Sequence, residues 1–504
     1  MLSYLKALPV VLAAILVTFW LAALAFPEAS RSGEIRRLRR DFLLVTLASF
    51  LSPSIWVYVA MLSALMVVFM LRPGDRPERA AILWALLVLA VPDVGAYLQG
   101  LGGISNFFQV NHIRVLTLGL LLPVVAGMQF GPRCPHPLAL VTDWWVIGYF
   151  AIQVGVVVPN ANTSVVVREA FVLFMDTLLP YWVFSRAFTT PETLNNAFRA
   201  FVLAMMVMCG LAVFEATVKW PLYDAVPAIW GTYWDLSVFI ERGGFLRAKA
   251  SAGHSLVLGY ALVIALGLWL IVKREVSNRW LAMVGDAGLA LGILAALARG
   301  AWLGAVLLLV LLALMGKGPI KRLILAALGL GAMVMVAPLV PQLATFVDLL
   351  PFIGRAESEN VLYRQRLIEV SLALIAQSPW FGVPGYLSYM EDLRQGQGII
   401  DIVNSYIAVA LNTGLVGLSL FVGAFVSVLW RLVGLRLRLG PAAEGSRVSV
   451  GMVATLLACM AVLATTSSIV AVVPLTYMLI GLGVSCGRVH APAQPSALIL
   501  GARR

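Results

Sequence analysis

Arginine is the residue type whose positions in this sequence most clearly suggest chemistry. Arg299 stands between two strongly apolar runs, in the stretch LARGAWLG that begins at Leu297. Arg364 and Arg366 lie in the stretch that follows Asn360. A guanidinium group binds phosphate oxygens in a bidentate manner, and a charge held so close to hydrocarbon tends to be functional. These arginines predict a site for a phosphate or diphosphate carried by a lipid.

The same arginines also have simpler explanations. Arg299 can reach the lipid headgroups along its own aliphatic stem if it lies at the end of a span. Arg364 and Arg366 are two residues apart, and such residues point to different faces of a helix. Only one of the two is expected to share a site with Arg299, whereas the other is solvated or paired with Glu357, Glu359 or Glu369.

A second basic segment precedes a long apolar run and contains Arg242, Arg247, Lys249 and His254. Its simpler interpretation is a collar of charges at the membrane interface, which suits Arg242 and Lys249. Alternatively, Arg247 contributes to the phosphate site, and the His254 imidazole is a candidate for proton transfer.

Several kinds of chemistry lack their residues in this sequence. There is no GxxxxGK[ST] motif for nucleotide hydrolysis and no Asp-rich cluster for a metal-bound nucleotide sugar. The cysteines have no metal-ligand spacing, and they are read as buried small hydrophobic residues: Cys134, Cys209, Cys459 and Cys486. We therefore expect neither a metal nor a cofactor, and the energy must come from the substrate or a gradient.

The elements that position these residues are predicted to be membrane-spanning helices. The sequence is 61% hydrophobic and only 12% charged, with a mean hydropathy of +0.94, which excludes a soluble fold. Apolar runs of about 17 to 25 residues recur along it, whereas a β-barrel would show short alternation. We predict an all-α, polytopic transmembrane helical bundle of about 12–15 spans with a long extracytoplasmic loop that contains a helix. The candidate spans are Ala7–Phe26, Asp41–Leu71, Ala80–Leu98, Val110–Phe130, Val141–Val158, Ala170–Ser185, Ala197–Thr217, Gly253–Val272, Leu281–Leu297, Ala301–Met315, Leu323–Val340, Asn404–Trp430, Val450–Thr466 and Ile469–Cys486.

Basic connectors orient these spans. Lys273–Arg279, Lys317–Arg322 and Arg431–Arg447 occur at matching parity and are predicted to be cytoplasmic. The segments Lys219–Ala252, Ala298–Gly300 and Pro341–Val403 are then external. The net charge of +12 is accordingly attributed to topology and anionic ligands, and no nucleic-acid partner is expected.

One integral membrane domain accounts for the whole sequence. It comprises N-terminal transmembrane helices in residues 1–340, an extracytoplasmic loop in 341–403 and C-terminal transmembrane helices in 404–504. Within the loop, Asn360–Gln377 has a helical pattern. The basic run Arg31–Arg40 breaks the parity of the N-terminal third, unless Asp41–Leu71 is a hairpin broken at Ser52-Pro53-Ser54 or the first span is unusual. That first span is expected to stay uncleaved, since no small-residue cleavage site follows it.

Several motifs resemble those of the O-antigen ligase and polysaccharide polymerase superfamily. They are RGAWLG from Arg299, the helix with Arg364, SPWFG from Ser378, NSY from Asn404, NTGLVG from Asn412, and GFLR from Gly244 followed by GHS from Gly253. The resemblance extends over about the last half of the chain, and the first half matches only as a set of spans.

The resemblance implies a metal-independent, inverting membrane glycosyltransferase at the outer face of the bacterial inner membrane. It acts on oligosaccharides carried by undecaprenyl diphosphate, with membrane lipids and the export or chain-length-control proteins of the pathway as further partners. Arg299 and Arg364 would hold the diphosphate, helped by Arg247 and Arg366. Residues for the glycan or the acceptor would be Asn404, Tyr406 and Trp380.

One departure from the superfamily pattern bears on the reaction. Ligases carry a His directly before the Asn of the NSY motif, and here that position is Val403. The nearest candidates for a general base are Asp401, Asp392 and Glu391, with His254 from another loop, and Asp401 is favoured. The missing His favours a polymerase of lipid-linked repeat units over a ligase.

A transporter of lipid-linked sugars is the remaining alternative. It should have ionisable residues in mid-span and paired broken helices in repeated halves. Asp143 and Asp176 are the tempting cases, and Asp176 is either a relay or simply hydrogen-bonded to a neighbouring helix.

Overall fold

A computed structural model describes residues 4–70, 77–99, 106–130, 141–232, 241–242, 244–316, 358–394, 400, 402–467 and 471–491. These residues form an all-α polytopic bundle with two short β-hairpins, which confirms the predicted fold class. The hairpins pair β1 (Ala96–Gln99) with β2 (Asn106–Val110) and β3 (Glu241–Arg242) with β4 (Phe245–Leu246). Seven helical stretches in this part are long and apolar enough to cross a membrane: Ala7–Ala25, Val141–Asn160, Pro191–Val218, Ser255–Glu275, Ser405–Leu439, Glu444–Leu463 and Val472–Val489.

The first half contains many short helices and three π-helical stretches, at Met66–Met70, Thr117–Leu121 and Phe174–Leu178. The second and third join α6 to α7 and α9 to α10, and each adds a residue to a helical turn. The helices are α1 Ala7–Ala25, α2 Pro27–Arg31, α3 Glu34–Leu51, α4 Ile55–Leu65, α5 Pro77–Leu87, α6 His112–Leu116, α7 Leu122–Phe130, α8 Val141–Val157, α9 Thr163–Leu173 and α10 Leu179–Arg186.

The second half has longer helices and begins with α11, where the Thr190 hydroxyl caps the first turn and Pro191 occupies its first position. Most of α11 and α13 is buried, so these helices lie in the middle of the bundle. The helices are α11 Pro191–Val218, α12 Ala225–Trp230, α13 Ser255–Val272, α14 Arg279–Ala295, α15 Arg299–Met315, α16 Ser358–Gln377, α17 Ser405–Leu439, α18 Glu444–Leu463 and α19 Val472–Val489.

Two of the predicted spans are broken within the described residues, and a third lies outside them. Asp41–Leu71 is a hairpin, because α3 ends at Leu51 and α4 begins at Ile55, so the break at Ser52-Pro53-Ser54 is confirmed. The span Ala80–Leu98 was wrong in its second half: α5 ends at Leu87, and an irregular segment with Pro92 leads into β1. Proline cannot donate to a helical hydrogen bond, which disfavours continuation of the helix. The predicted span Leu323–Val340 lies outside the described residues.

Ion pairs gather several connectors on one face of the bundle. Arg199, in the first turns of α11, contacts Glu34 (Nη1–Oε2, 2.8 Å) and Glu275 (Nη2–Oε2, 2.6 Å). The Ser277 amide donates to the Ala25 carbonyl at 2.9 Å. We call this end of the bundle the inner face. Glu275 lies in the connector Lys273–Arg279, which is predicted to be cytoplasmic, and Arg199 joins it to Glu34. The basic run Arg31–Arg40 beside Glu34 therefore shares that side, and the hairpin resolves the parity conflict.

Candidate functional site

Arg299 lies at a tight corner between α14 and α15, at the face opposite the inner face, which we call the outer face. Leu297 has φ of +46°, a left-handed conformation that is unfavourable for a residue with a side chain. The Trp302 indole N–H donates to the Ile293 carbonyl at 2.8 Å and braces the corner. Arg299 is the first residue of α15 and half-buried, at the positive end of that helix.

The segment with Arg247 is attached directly to this corner. We call residues 244–254 the basic loop. Its Ala248 amide donates to the carbonyl of Ala295, the last residue of α14, at 3.2 Å. Arg247 is half-buried and Lys249 is buried, with its Nζ 2.8 Å from Asp224 Oδ1. The main chain therefore brings Arg247 and Arg299, both predicted to bind the diphosphate, to neighbouring segments.

His254 ends the basic loop and has a structural contact of its own. Its Nδ1 accepts the Leu256 amide at 3.1 Å and so caps α13. Burial, together with the positive charges of Arg247 and Lys249, lowers the pKa of His254 to about 3. A neutral imidazole with one nitrogen already engaged is a weak base, so this environment does not favour the predicted proton-transfer role.

The NSY motif at the start of α17 adjoins the same corner. Asn404 Oδ1 accepts the amides of Tyr406 and Ile407, at 3.0 and 3.2 Å, and caps the helix. The Ser405 hydroxyl donates to the Thr466 carbonyl at 2.7 Å. Gly300 packs so closely on Thr465 that an added Cβ would overlap the threonine hydroxyl. The connection from α18 to α19 therefore links the corner to the motif.

Tyr406 also has a structural role that the sequence did not reveal. Its hydroxyl donates to the Met460 carbonyl in α18 at 2.9 Å, and its ring packs edge-on against Phe421, with centroids 6.0 Å apart. These contacts fix the orientation of the side chain, and its hydroxyl proton is engaged.

α16 places the other predicted arginines on an external helix. Leu367 and Leu374 form a small core with Leu411 of α17, so α16 packs against the outer end of α17. Arg364 and Arg366 are both exposed and lie outside that packed face. Glu369 was predicted as one possible partner of these arginines, and it accepts a hydrogen bond from Gln365 at 3.0 Å.

The SPWFG and NTGLVG motifs form one interlocking structure. α17 is kinked at Gly414, whose φ of +66° and ψ of −168° are open almost exclusively to glycine. The kink leaves backbone amides of α17 without partners in their own helix. Carbonyl groups in the turn of residues 378–383, which we call the docked turn, accept hydrogen bonds from them, and the Leu415 amide donates to the Pro379 carbonyl at 2.7 Å. In return the Val383 amide donates to the Leu411 carbonyl at 2.7 Å. Both motifs therefore have a structural explanation.

Trp380 lies in the docked turn, and its side chain is exposed to solvent. It is 66% exposed, and its neighbour Phe381 is 57% exposed. Its backbone carbonyl lies against Gly414, so the main chain is fixed while the indole stays available for stacking on another molecule.

The acidic candidates for a general base have different environments. Asp401, the favoured one, lies outside the described residues. Arg394 donates to both carboxylate oxygens of Glu391, at 2.7 and 2.6 Å, and these bonds hold the Glu391 pKa below its usual value. Asp392 is exposed. Within the described part of the chain, no three His, Cys, Asp or Glu side chains come together as a metal-ligand set.

A comparison with known protein families supports the resemblance suggested by the motifs. Residues 284–422 match the family described as O-antigen ligase, and over this segment the match supports the assignment to the O-antigen ligase and polymerase superfamily. The matched segment contains Arg299, Arg364 and both halves of the interlock. A search of curated proteins finds no match. The chain is thus a multi-pass membrane protein, and the match over residues 284–422 supports an activity of the O-antigen ligase and polymerase kind, whose family members are glycosyltransferase-type enzymes.

Proposed function

We propose that this protein joins oligosaccharide repeat units carried on undecaprenyl diphosphate into a polysaccharide, at the outer face of the bacterial inner membrane. The observation that carries the proposal is the main-chain attachment of the Arg247 segment to the Arg299 corner, through the bond from Ala248 to Ala295. The NSY motif adjoins the same corner through Gly300 and Thr465. The side chains proposed to bind phosphate and the motif proposed to bind sugar therefore lie in neighbouring segments of the outer face.

The chemistry expected at such a place is a displacement at the anomeric carbon of the donor sugar. An acceptor hydroxyl attacks that carbon, the bond to the diphosphate oxygen breaks, and a general base takes the hydroxyl proton. Negative charge grows on the departing lipid diphosphate, and positioned guanidinium groups stabilise it without a metal. Attack from the opposite side inverts the anomeric configuration. We assign the diphosphate to Arg299, Arg247 and one arginine of α16, and the base to Asp401.

A polymerase is favoured over a ligase by Val403, which stands where ligases carry a His. The family description, O-antigen ligase, keeps ligation to a different acceptor as the second candidate. Export and chain-length-control proteins are the partners that a polymerase would need.

The test is to replace Arg299 with Ala and with Lys in the native host, at membrane levels checked by immunoblot. Single lipid-linked repeat units should accumulate in R299A while polymer disappears, and R299K should recover little because an ammonium cannot bind bidentately. Long lipid-linked chains would instead indicate a ligase.

Arg168, an outer-face arginine of α9 that pairs with Glu169 at 3.7 Å, supplies the matched control. R168A should leave polymer and intermediates unchanged. If R299A also leaves them unchanged at normal protein level, the site assignment is wrong.

A further inference from the structure

The buried carboxylate of Glu215 in α11 binds the backbone of the basic loop. Glu215 lies in the last turn of α11 and is fully buried. Its Oε1 accepts the Leu222 amide at 3.0 Å, and its Oε2 accepts the amides of Lys249 and Ala250 at 3.1 and 2.8 Å. One side chain therefore fixes two separate parts of the segment that joins α11 to α13.

This carboxylate is not explained by the stability of its own helix. A negative charge near a helix C-terminus is unfavourable, because it faces the negative end of the helix dipole. Burial of a charge is also costly unless hydrogen bonds compensate it, and here the amides of Leu222, Lys249 and Ala250 supply them. The arrangement favours one conformation of the loop rather than a more stable α11.

The conformation that Glu215 holds is a strained one. Ala250 has φ of +45°, an uncommon value for a residue with a side chain, and such values persist only where the surroundings enforce them. The amides of Lys249 and Ala250, which Glu215 accepts, include the strained residue itself. Arg247 precedes this point by three residues, and the Ala248 amide is bound to the Arg299 corner.

We propose that Glu215 is a positioning residue, which sets the place of the Arg247 guanidinium relative to Arg299 so that both reach one diphosphate. The proposal rests on the proposed function, and it adds a residue outside the segment that matches the family. Glu215 does not contact the substrate. It acts through the backbone of the basic loop, which α11 holds on one side and the α14–α15 corner holds on the other.

The test is a double-mutant cycle between Glu215→Gln and Arg247→Ala, assayed on purified full-length protein with a lipid diphosphate-linked oligosaccharide. Glutamine has nearly the same shape but only one acceptor oxygen, so it cannot accept all three amides. We expect E215Q to lower kcat/KM at least tenfold, mainly through KM for the donor. In the R247A background the same change should have little further effect, because the group it positions is gone.

Glu241→Gln is the matched control, since Glu241 is an exposed acid of the neighbouring hairpin that pairs with Lys219 at 3.1 Å. E241Q should behave as wild type. Additive losses in the cycle, or an unchanged KM in E215Q, would overturn the positioning role. If E215Q does not accumulate, Glu215→Asp keeps the charge but draws it back by one methylene, and it can carry the same cycle.

The two proposals fail in different ways. If R247A and R299A both retain wild-type activity on the lipid-linked donor, the proposed function is wrong whatever E215Q does. If those variants lose activity and E215Q does not, only the role of Glu215 is wrong.

Discussion

The inner and outer faces of this bundle are held together by different kinds of contact. On the inner side, buried arginines pair with carboxylates, as Arg186 does with Asp143 at 2.6 Å and Arg199 does with Glu34 and Glu275. On the outer side, the basic loop and the docked turn are joined to the helices mainly through backbone amides, as in Ala248 to Ala295 and Leu415 to Pro379, beside the ion pair of buried Lys249 with Asp224 described above.

The difference shows how each group of arginines is used. Arg186 is 4% exposed and Arg199 is 8% exposed, so their charges serve the packing of helices. Arg247 and Arg299 are half-buried, and Arg364 is exposed, so all three are more accessible than the inner arginines. Main-chain bonds fix the outer segments, which agrees with the binding role proposed for their side chains.

The buried aspartates also bear on the transport alternative. Asp176 lies in a π-helical stretch and pairs with Arg114 of α6 at 3.0 Å, and Asp143 pairs with Arg186. Asp176 is therefore bound to a neighbouring helix, which was one of the two predictions for it.

Loss of an inner-side pair should have the largest effect on stability. Arg186→Ala removes the charged partner of buried Asp143, which keeps a hydrogen bond from the Tyr181 hydroxyl at 2.5 Å, so we expect a loss of about 3–5 kcal/mol. The measurement is the unfolding midpoint in detergent. R168A removes a partly exposed pair and should cost about 1 kcal/mol or less. Equal losses in the two variants would remove the distinction between the faces.

The docked turn and the kink of α17 depend on Gly414, so a substitution there should separate the SPWFG and NTGLVG motifs. Gly414→Ala introduces a Cβ that overlaps the Trp380 backbone at a glycine-only conformation, and we expect a cost of about 1–3 kcal/mol with reduced polymer synthesis.

Gly440 is a matched control for this change, because its φ of +75° is comparable and an added Cβ there meets no atom within 4 Å. G440A should show the backbone strain alone. Polymer synthesis that falls equally in both variants would mean that the docked turn is irrelevant to the site.

An outer-face arginine should affect activity without affecting stability. Arg364→Ala is expected to lower polymer synthesis at least about tenfold, or about 1.4 kcal/mol in barrier height, with an unchanged unfolding midpoint. Arg366→Ala is the internal comparison, since one of the two is expected to face the site. A lower midpoint in R364A at full activity would assign Arg364 to packing.

The smallest effect is expected at His254. Its pKa is lowered to about 3, so the folded protein disfavours the charged form. The stabilising contribution is present above the unfolded pKa of about 6.5, and it is lost as the pH falls toward 3. His254→Asn keeps a good helix cap and should reduce the acid sensitivity of unfolding, while the activity profile between pH 6 and 8 stays unchanged. A shifted profile would restore His254 as a candidate base.

Much of the fold could be predicted because each span has a local cause. Runs such as Ser255–Val272 are apolar enough to cross a bilayer, and the break at Ser52-Pro53-Ser54 shows the hairpin. The predicted span Ala80–Leu98 is longer than the helix, because the apolar run continues past Leu87 while Pro92 and tertiary contacts end α5. For example, the Ser251 hydroxyl donates to the Leu89 carbonyl, a contact that no window of sequence contains.

The sequence by itself determined the membrane class, the resemblance to the family and which arginines are predicted to bind a diphosphate, because hydropathy, charge and short motifs are local properties. Tertiary structure decided which of these residues meet. In the fold, the segment of Arg247 is bonded to the Arg299 corner, and Asn404 and Tyr406 make structural contacts. The SPWFG and NTGLVG motifs bind each other through their backbones. The tertiary structure also revealed Glu215, whose only sequence signal is an acidic residue near the end of an apolar run. Pairings between distant segments depend on backbone groups, and every residue type carries those.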